Sequence, residues 1–367
     1  MNEKIISIFC TVTNDLNHDQ RMHRICTTLH QAGYQVTLIG RLKKDSRPVL
    51  EMPFAQERLN CYWNKGVLFY AEYNLRLAWY HFRYKPDWIY AVDDDTLLPA
   101  IMNKKVRNTK VIFDAHEYFA EVPELNGKPW IKKVWRWIEK KCIPYTDTCI
   151  TVTDSLASLF QAQYKKPFHT IRNLPNRQDN IQNIKKENLI IYQGVLNQGR
   201  GLEAMIEAMQ WIPNFQLVLI GEGDLSASLR QLATKSQAAE RIIFAGWLSP
   251  TQMKEWTSKA CLGINLLDSE SLSYYYSLAN KFFDYMMVGC PSLNMNFPEY
   301  VHILNQYDVG YTIDTLKPKS LADIILKAIS KPEELQIKSQ NCNIAAKELN
   351  WQNEEIKLLK LLENLKK

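Results

Sequence analysis

Long apolar runs are missing from the sequence, and none approaches the roughly 18 residues that a membrane-spanning helix requires. The chain begins with polar residues that lead directly into a strand, so we expect no signal peptide. Neither sign of charge dominates, since 45 Lys and Arg stand against 39 Asp and Glu, a net charge of +6. That balance is too weak to indicate a nucleic-acid partner.

Cysteine pairs of the Cys-x-x-Cys type are also missing, and none of the eight cysteines lies near a histidine at zinc-finger spacing. We interpret the cysteines as free, buried thiols of a reducing cytosol and expect a cytoplasmic protein. Hydrophobic residues make up 46% of the chain and charged residues 23%, values that exclude a disordered protein. The length of 367 residues predicts two domains, or three.

Apolar segments of strand length alternate with helical patterns over the first 175 residues. Strands are predicted at residues 5–9, 36–40, 88–92, 110–114 and 148–152. Because these strands are apolar throughout and helices separate them, they indicate a parallel sheet covered on both faces. The pattern is typical of a doubly wound α/β domain.

A polar, turn-rich segment at residues 173–186 interrupts this alternation and predicts a linker. Further strands are then predicted at residues 189–194, 216–220, 242–244 and 262–265. The sequence therefore predicts two α/β (Rossmann-like) domains, 1–175 and 176–345, facing a central cleft that is a common place for a ligand.

The chain ends in a predicted helical segment, 346–367. From residue 351 onward its spacing predicts an amphipathic helix. The side chains expected to face inward are Ile356, Leu359, Leu362 and Leu365.

The glycine fingerprint of dinucleotide-binding enzymes is incomplete. Residues 10–15, which follow the first strand, contain no glycine, and residues 221–226 contain only the first two glycines of G-x-G-x-x-G. Hydride transfer is therefore poorly supported.

Residues 192–203 combine the end of a strand, a loop with three glycines and the start of a helix. Such a loop offers free backbone N–H groups to an anion. Arg200 adds a positive charge that can form two hydrogen bonds with a phosphate. A tight turn with a solvated arginine is an equally good interpretation of the local sequence.

A second polar cluster lies in an otherwise apolar segment. Ser277 is predicted to cap a helix that runs to Met287. Asn280 and Asp284 are four residues apart and share one face of that helix, beside Lys281. The alternative is a partly exposed amphipathic helix with no binding role.

These segments together resemble the GT-B-fold glycosyltransferases of the retaining family-4 type, which use nucleotide sugars. The resemblance covers nearly the whole chain, and the order and spacing of its motifs are specific. It is carried by a D-x-R-x-x-R motif at 15–24, the D-x-H-E motif at 114–117, the Arg-Gly pair at 200–201, the strand and turn at 219–223, the loop at 244–248, the helix at 277–286 and the final helix near Trp351.

The resemblance implies a division of labour between the domains. The nucleotide-diphosphate sugar, the co-substrate, would bind mainly to 176–345 and a glycan or lipid-linked acceptor to 1–175, with 346–367 crossing back to the first domain. The donor-binding residues implied are Gly194, Gly199, Arg200, Gly221, Gly223, Gly246, Trp247, Ser277, Leu278, Ala279, Asn280, Lys281 and Asp284. Of these, Asp284 would hold the ribose hydroxyls, and the loop with Gly246 and Trp247 would lie against the nucleobase.

The resemblance further implies catalytic roles for His116 and Arg200. His116 also follows a strand directly, at the edge where α/β proteins build their sites. Asp19, Arg21 and Glu117 would lie on the acceptor side. The expected reaction is sugar transfer with retention, without a metal or cofactor, in bacterial envelope polysaccharide synthesis.

Two positions depart from the family pattern. Tyr276 stands where the first of two acids is usual, and Val195 stands where an arginine is usual. Asp284, the second acid, is one methylene shorter than the usual glutamate. These departures leave two alternatives open: a nucleotide-sugar epimerase or hydrolase on the same fold, or a catalytically inactive scaffold that binds a glycan or a partner.

Two other segments have competing interpretations. Asp93, Asp94 and Asp95 could bind a metal ion, but they also fit the cap of a helix, which we prefer. Residues 130–141, from Trp130 to Lys141, are basic and rich in tryptophan at helical spacing. They could contact the inner face of the cytoplasmic membrane, although helical spacing requires part of this segment to pack on the protein.

Overall fold

The computed structural model describes residues 4–17, 19–177 and 184–366. For Glu124 it describes the backbone only. Residues 178–183 of the predicted linker and residue 367 of the predicted final helix lie outside this description. The chain forms two compact units. One comprises Met1–Asn173 with Glu354–Lys367, and the other comprises Leu174–Asn353.

The first unit is built on a seven-stranded sheet in the order β3-β2-β1-β4-β5-β6-β7. All strand pairs are parallel. Its elements are β1 (Ser7–Thr11), α1 (Gln20–Gln31), β2 (Gln35–Leu42), β3 (Ala55–Asn60), α2 (Gly66–Tyr84), β4 (Trp88–Val92), α3 (Asp94–Arg107), β5 (Lys110–Ala115), α4 (Pro129–Cys142), β6 (Thr148–Thr151), α5 (Asp154–Tyr164) and β7 (Phe168–Thr170).

The second unit is built on a six-stranded parallel sheet in the order β10-β9-β8-β11-β12-β13. Its elements are β8 (Glu187–Gln193), α6 (Leu202–Ala208), β9 (Gln216–Ile220), α7 (Ser226–Lys235), β10 (Ile242–Gly246), α8 (Pro250–Lys259), β11 (Ala260–Asn265), α9 (Leu272–Tyr275), α10 (Asn280–Met286), β12 (Ser292–Met295), α11 (Pro298–Tyr307), β13 (Gly310–Ile313), α12 (Pro318–Ile329) and α13 (Pro332–Glu348). The prediction of two Rossmann-like halves is confirmed.

Four strands were not predicted: β3, β7, β12 and β13. β3 is a half-exposed edge strand of polar sequence, and β7 has only three residues. β12 is buried although it carries polar side chains, because the Asn294 amide donates to Ser292 Oγ at 3.0 Å and so remains satisfied. None of these segments shows the apolar run by which a buried strand is recognised in a sequence.

Both sheets reverse their strand order beside their first strand. β1 lies between β2 and β4, and β8 lies between β9 and β11. Successive connections then leave toward opposite faces, so the carboxyl ends of these strands border an open crevice. In the second unit, Gly194 and Gly221 directly follow β8 and β9, and in the first unit His116 directly follows β5.

The final helix, α14 (Trp351–Lys366), corrects one prediction. Leu358 and Leu362 are completely buried, whereas Ile356, which was expected to face inward, is 63% exposed. From Glu354 onward the helix belongs to the first unit, where the Glu354 carboxylate accepts a hydrogen bond of 2.8 Å from the backbone N–H of Arg172.

No helix within the described ranges has both the length and the apolar character that crossing a lipid bilayer would require.

A fully buried histidine lies in the first unit. The ring of His81, in α2, has no exposed surface, and its centre lies 6.3 Å from that of Phe9. Burial lowers the pKa of His81 to about 4, against a smaller opposing effect of a hydrogen bond to the backbone of Pro99. His81 is therefore neutral in the folded protein over the physiological range.

We expect acid to destabilise the first unit through His81. The unfolded chain binds a proton at His81 near the ordinary histidine pKa, but the folded chain binds it only near pH 4. The contribution of His81 to the free energy of unfolding is therefore fully present above about pH 6.5 and is lost as the pH falls toward 4. The loss should be roughly 3 kcal/mol between pH 7 and pH 4. Urea denaturation over this pH range should show a shallower loss for His81→Leu than for the unsubstituted protein. The control, His302→Gln at an exposed position, should keep the full slope. Parallel curves for His81→Leu and the unsubstituted protein would contradict the assignment.

Candidate functional site

Three glycines form the carboxyl edge of the second sheet. Gly194, Gly221 and Gly246 end β8, β9 and β10, with φ angles of 131°, 123° and 67°. The N–H of Gly194 donates to Ile220 O at 3.0 Å, and that of Gly221 donates to Gly246 O at 2.8 Å. A Cβ on Gly221 would lie only 2.1 Å from Gly194 O. The two turns can approach this closely only because Gly221 has no side chain.

The loop after β8 carries Arg200 between two further glycines with positive φ, Gly199 and Gly201. The Arg200 guanidinium lies 5.0 Å from the centre of the Tyr274 ring, a cation–π arrangement. Its Nε is buried and has no hydrogen-bond partner in the described part of the chain. Arg200 is thus held in place by an aromatic face while donor capacity is left over.

Lys281 occupies the same region of the unit. Its side chain is only 8% exposed, and Nζ lies 3.8 Å from the centre of the Tyr192 ring. Among the described residues Nζ has no hydrogen-bond partner. Burial and the nearby charge of Arg200 lower the pKa of Lys281 well below its usual value, with Asp284 opposing them. An anion placed here would supply the missing partner and favour the charged form.

The turn before Lys281 corrects the predicted cap. The helix α10 begins at Asn280, with Ala279 at its N-cap position, rather than after Ser277. Ser277 Oγ instead donates to Tyr274 O at 2.8 Å, and the N–H of Ala279 donates to the hydroxyl of Tyr300 at 2.9 Å. Leu278 is buried and Asn280 is exposed. Residues 276–279 therefore form a turn between α9 and α10.

Asp284 is tied to the end of β8. Its Oδ2 accepts a hydrogen bond of 3.0 Å from Gln193 Nε2, and Gln193 Oε1 accepts one of 2.8 Å from Thr257 Oγ1. Asp284 is half-buried. A carboxylate in this position can still accept hydrogen bonds from hydroxyl groups of a ligand.

Other predicted donor residues border the same sheet edge. Trp247 follows β10 and is 75% exposed. Gly223 packs so tightly that a Cβ would lie 2.5 Å from Asn197 Oδ1. Val195 is 44% exposed, and the Tyr276 ring packs against Tyr275 at 5.1 Å between centres. Neither Val195 nor Tyr276 supplies the charge that the family pattern has at its position.

The first unit has its own polar cluster, built around the fully buried carboxylate of Asp114 at the end of β5. Arg21 Nη2 lies 3.0 Å from both carboxylate oxygens, and the Tyr90 hydroxyl donates to Oδ2 at 2.7 Å. Arg21 is 3% exposed and also donates to Ile171 O at 2.9 Å. Burial raises the pKa of Asp114, but Arg21 and His116 outweigh it and hold that pKa well below its usual range.

His116 is attached to this cluster through Nε2, which lies 3.0 Å from Asp114 Oδ2 and 3.0 Å from Arg21 Nε. Its side chain is 21% exposed. Burial lowers the pKa of His116, but the carboxylates of Asp114 and Asp93 outweigh burial and raise it. The ring is therefore anchored at one nitrogen and reachable by solvent over part of its surface.

The predicted acceptor-side residues have different environments. Asp19 is the N-cap of α1, with Oδ1 accepting from the N–H of Met22 at 3.0 Å. Arg21 is engaged within the buried cluster, and Glu117 is half-buried beside His116. Contact of these three residues with an acceptor stays a prediction.

The three consecutive acids do not point to one place. Asp93 Oδ1 accepts from the backbone N–H of His116 at 2.8 Å, and Asp95 Oδ2 accepts from Thr13 Oγ1 at 2.6 Å. Asp94 instead interacts with Glu139, and burial raises its pKa. Asp93 occupies the N-cap position of α3 but makes no capping hydrogen bond, which corrects the cap interpretation. Across the described ranges, no group of three or more His, Cys, Asp or Glu is arranged to hold a metal ion.

The helix α4 has a mixed surface. Trp135 and Ile138 are buried, whereas Trp130 and Trp137 are 57% and 54% exposed. Lys133, Lys140 and Lys141 are also exposed, on the same helix. The expected partial packing of this segment is confirmed.

Sequence reasoning did not predict the roles of three residues that shape these sites. Tyr192 lies beneath Lys281, Gln193 holds Asp284, and Asp93 holds the backbone of His116. Tyr192 and Gln193 are the last residues of an apolar strand and looked like strand residues only. A polar residue at the carboxyl end of such a strand is the signal that could have identified Gln193.

Two family profiles match the chain. The family described as Glycosyl transferases group 1 matches residues 176–348, and the family described as Glycosyltransferase Family 4 matches residues 19–176. Together they span most of both units. Curated protein sequences give no significant match.

Solved structures share the fold over nearly the whole chain. Sucrose-phosphate synthase (tll1590) from Thermosynechococcus elongatus is 16% identical with a TM-score of 0.80, covering 98% of this chain and 99% of its own. Anabaena Alr3699/HepE in complex with UDP-glucose is 13% identical with a TM-score of 0.77, covering 98% and 100%. WaaG, a glycosyltransferase involved in lipopolysaccharide biosynthesis, is 16% identical with a TM-score of 0.73, covering 96% and 99%.

The contact between the glycine turns predicts a large effect of Gly221→Ala. The new Cβ would collide with Gly194 O in a backbone conformation that alanine rarely adopts, so we expect a loss of at least about 3 kcal/mol in unfolding free energy. Gly246→Ala is the matched control, because its φ is also positive but the nearest atom, Glu222 Oε1, would lie 3.5 Å away. Gly246→Ala should cost only about 1 kcal/mol in the same urea titration. Equal losses would show that the close approach does not matter.

Proposed function

Because the chain belongs to the glycosyltransferases of group 1 and family 4, we propose that it transfers a sugar from a nucleotide-diphosphate sugar to a glycan or lipid-linked acceptor. The observation that carries this proposal is the pair Arg200 and Lys281 in the second unit. Each has a buried nitrogen without a partner in the described part of the chain, at the glycine-lined edge of a parallel sheet. Such an edge is where doubly wound folds bind phosphorylated ligands.

In the proposed reaction, the sugar–phosphate bond breaks and a nucleoside diphosphate leaves. Arg200 and Lys281 stabilise the negative charge that develops on the leaving phosphate. These two cations fill the role that a metal ion has in other phosphate-binding sites, so we propose that transfer needs no metal. The carboxylate of Asp284 accepts hydrogen bonds from the ribose hydroxyls.

The acceptor is assigned to the first unit, and His116 is proposed to contact the transferred sugar. We propose retention of the anomeric configuration, with the leaving phosphate taking the proton of the acceptor hydroxyl. No residue of either site is needed as a covalent nucleophile in that reaction. This assignment is supported by the D-x-H-E motif and by the position of His116 at the end of β5.

The fold neighbours suggest which substrates to test first. The HepE crystals hold UDP-glucose, and WaaG takes part in lipopolysaccharide biosynthesis. We therefore propose a uridine diphosphate sugar as donor and an envelope polysaccharide or its lipid-linked precursor as acceptor. Trp247, which is 75% exposed beside Gly246, is proposed to lie against the base.

Two alternatives are separated by one set of measurements. A putative UDP-N-acetylglucosamine 2-epimerase from Listeria monocytogenes shares the fold at 13% identity and a TM-score of 0.66, which keeps an epimerase or hydrolase under test. Val195 and Tyr276, where the family has charges, favour an inactive scaffold instead. Calorimetry with a panel of nucleotides would be followed by assays of nucleoside diphosphate release with and without acceptors. Acceptor-dependent release supports transfer, release or epimerisation without acceptor supports the second enzyme, and binding without turnover supports the scaffold.

We expect Arg200→Ala to weaken binding of the nucleoside diphosphate by about 1.5–3 kcal/mol, the scale of a hydrogen bond to a charged group. The measurement is calorimetric titration with the free nucleoside diphosphate and with the donor. Lys259→Ala is the control, since it removes the same charge from an exposed position of the same unit. If Arg200→Ala binds both ligands as tightly as the control does, Arg200 is not part of the site.

We also propose that α4 contacts an anionic membrane surface, where lipid-linked acceptors would be found. Trp130 and Trp137 offer apolar surface, and Lys133, Lys140 and Lys141 offer exposed positive charge. Exposed tryptophans next to lysines are typical of helices that lie in the membrane interface.

The double change Trp130→Ala with Trp137→Ala should lower binding to vesicles of anionic lipid by about tenfold, because two apolar side chains no longer enter the interface. Co-sedimentation with anionic and with zwitterionic vesicles would measure it. Trp247→Ala, another exposed tryptophan, is the control and should bind like the unsubstituted protein. Binding that is absent, or that the double change leaves intact, would rule out this role of α4.

A further inference from the structure

The turn between β4 and α3 contains a strained residue. Asp93 has φ 54° and ψ 174°, a backbone conformation that is found almost only at glycine. Glycine at this position would relieve the strain but would offer no carboxyl group. The unfavourable backbone conformation is therefore kept at a residue whose carboxyl group accepts a hydrogen bond from the backbone N–H of His116.

Asp93 contacts the end of β5 at two points. The last paired residues of the β4–β5 ladder are Val92 and Asp114. Directly beyond them, the N–H of Asp93 donates to Asp114 O at 2.9 Å. The N–H of His116 then donates to Asp93 Oδ1 at 2.8 Å. The carboxyl group thus takes the place of a backbone carbonyl and extends the ladder past the end of β4.

The opposite side of β5 is held as well. Ala115 pairs with Thr151 of β6, and Thr151 Oγ1 donates to Ala115 O at 2.8 Å. The His116 ring is anchored to Asp114 Oδ2 at 3.0 Å. With Asp93 on one side and Thr151 on the other, the backbone that carries His116 has little freedom to move.

We propose that Asp93 is a positioning residue that fixes His116 for the transfer reaction through the hydrogen bond from the His116 backbone to its carboxyl group. This inference rests on the proposed function, in which His116 contacts the transferred sugar. A small displacement of a contacting group can cost a large part of the rate. Strain that is kept at such a turn is consistent with preorganisation of a site.

The charge of Asp93 is not needed for this role. Burial raises the pKa of Asp93 to about 8, with Glu117 and Asp95 contributing in the same direction and His116 opposing them. The role needs only an acceptor oxygen, which the side-chain amide of asparagine also offers. Asp93→Asn is therefore the conservative variant, and Asp93→Gly is the variant that removes the acceptor and the strain together.

The first measurement needs no activity. Amide hydrogen exchange at His116 should be slow in the unsubstituted protein and in Asp93→Asn, and at least about tenfold faster in Asp93→Gly, because only the last lacks the acceptor. Thermal unfolding is followed on the same samples. The melting temperature of Asp93→Gly should be unchanged or higher, since the strained conformation suits glycine. An unchanged exchange rate of the His116 amide in Asp93→Gly would overturn the proposal, whether or not the protein has transferase activity.

The second measurement is the transfer assay. Asp93→Gly should lower kcat at least about tenfold and leave KM for the donor within about twofold, whereas Asp93→Asn should stay within about threefold of the unsubstituted protein. Combining Asp93→Gly with His116→Ala should lower kcat no further than His116→Ala alone, because Asp93 acts through His116.

Losses that multiply in the double variant would overturn the proposal, as would equal losses in Asp93→Asn and Asp93→Gly or a normal kcat in Asp93→Gly. If the unsubstituted protein shows no transfer with any donor, the proposed function fails. The exchange measurement still decides in that case whether Asp93 holds His116.

Discussion

Parallel pairing places the carboxyl ends of all strands at the same edge of a sheet. The backbone N–H and C=O groups left unpaired at that edge are the constraint on which both candidate sites depend. In the second unit, glycines let the turns after β8 and β9 approach until one packs directly on the other. In the first unit, the side chain of Asp93 continues the ladder beyond the end of β4. Each solution leaves the edge rigid and places polar groups beside it.

The two units differ in how their buried charged side chains are paired. In the first, Arg21 and Asp114 are matched to each other and to Tyr90, so the pair is fully satisfied and rigid. In the second, Arg200 and Lys281 rest on the aromatic faces of Tyr274 and Tyr192, with donor groups left over. Aromatic faces hold a cation in place without using up its hydrogen bonds, so the second arrangement suits a ligand that brings its own negative charge.

Several features could be predicted from the sequence because they depend on local chemistry. Buried parallel strands are apolar along their whole length, so nine of the strands could be recognised from their residues, and the glycines of the turns could be identified without neighbours in view. Edge and polar strands such as β3 and β12 could not, because pairing with other strands stabilises them. The inward face of α14 was misplaced for a similar reason, since small shifts of register decide whether Ile356 or Leu358 is buried.

By itself, the sequence determined the two Rossmann-like halves and the glycine turns, because hydrophobic period and glycine position act over a few neighbouring residues. The family resemblance implied the residues from which the candidate sites are built. Only the tertiary structure decided what those residues do. It placed Ser277 in a turn rather than at a cap, put Lys281 over Tyr192, and turned Asp93 toward His116, which lies 23 residues away in the chain. The contacts of Lys281 and Asp93 join segments that are distant in sequence, and the packing of the folded chain sets which of them meet.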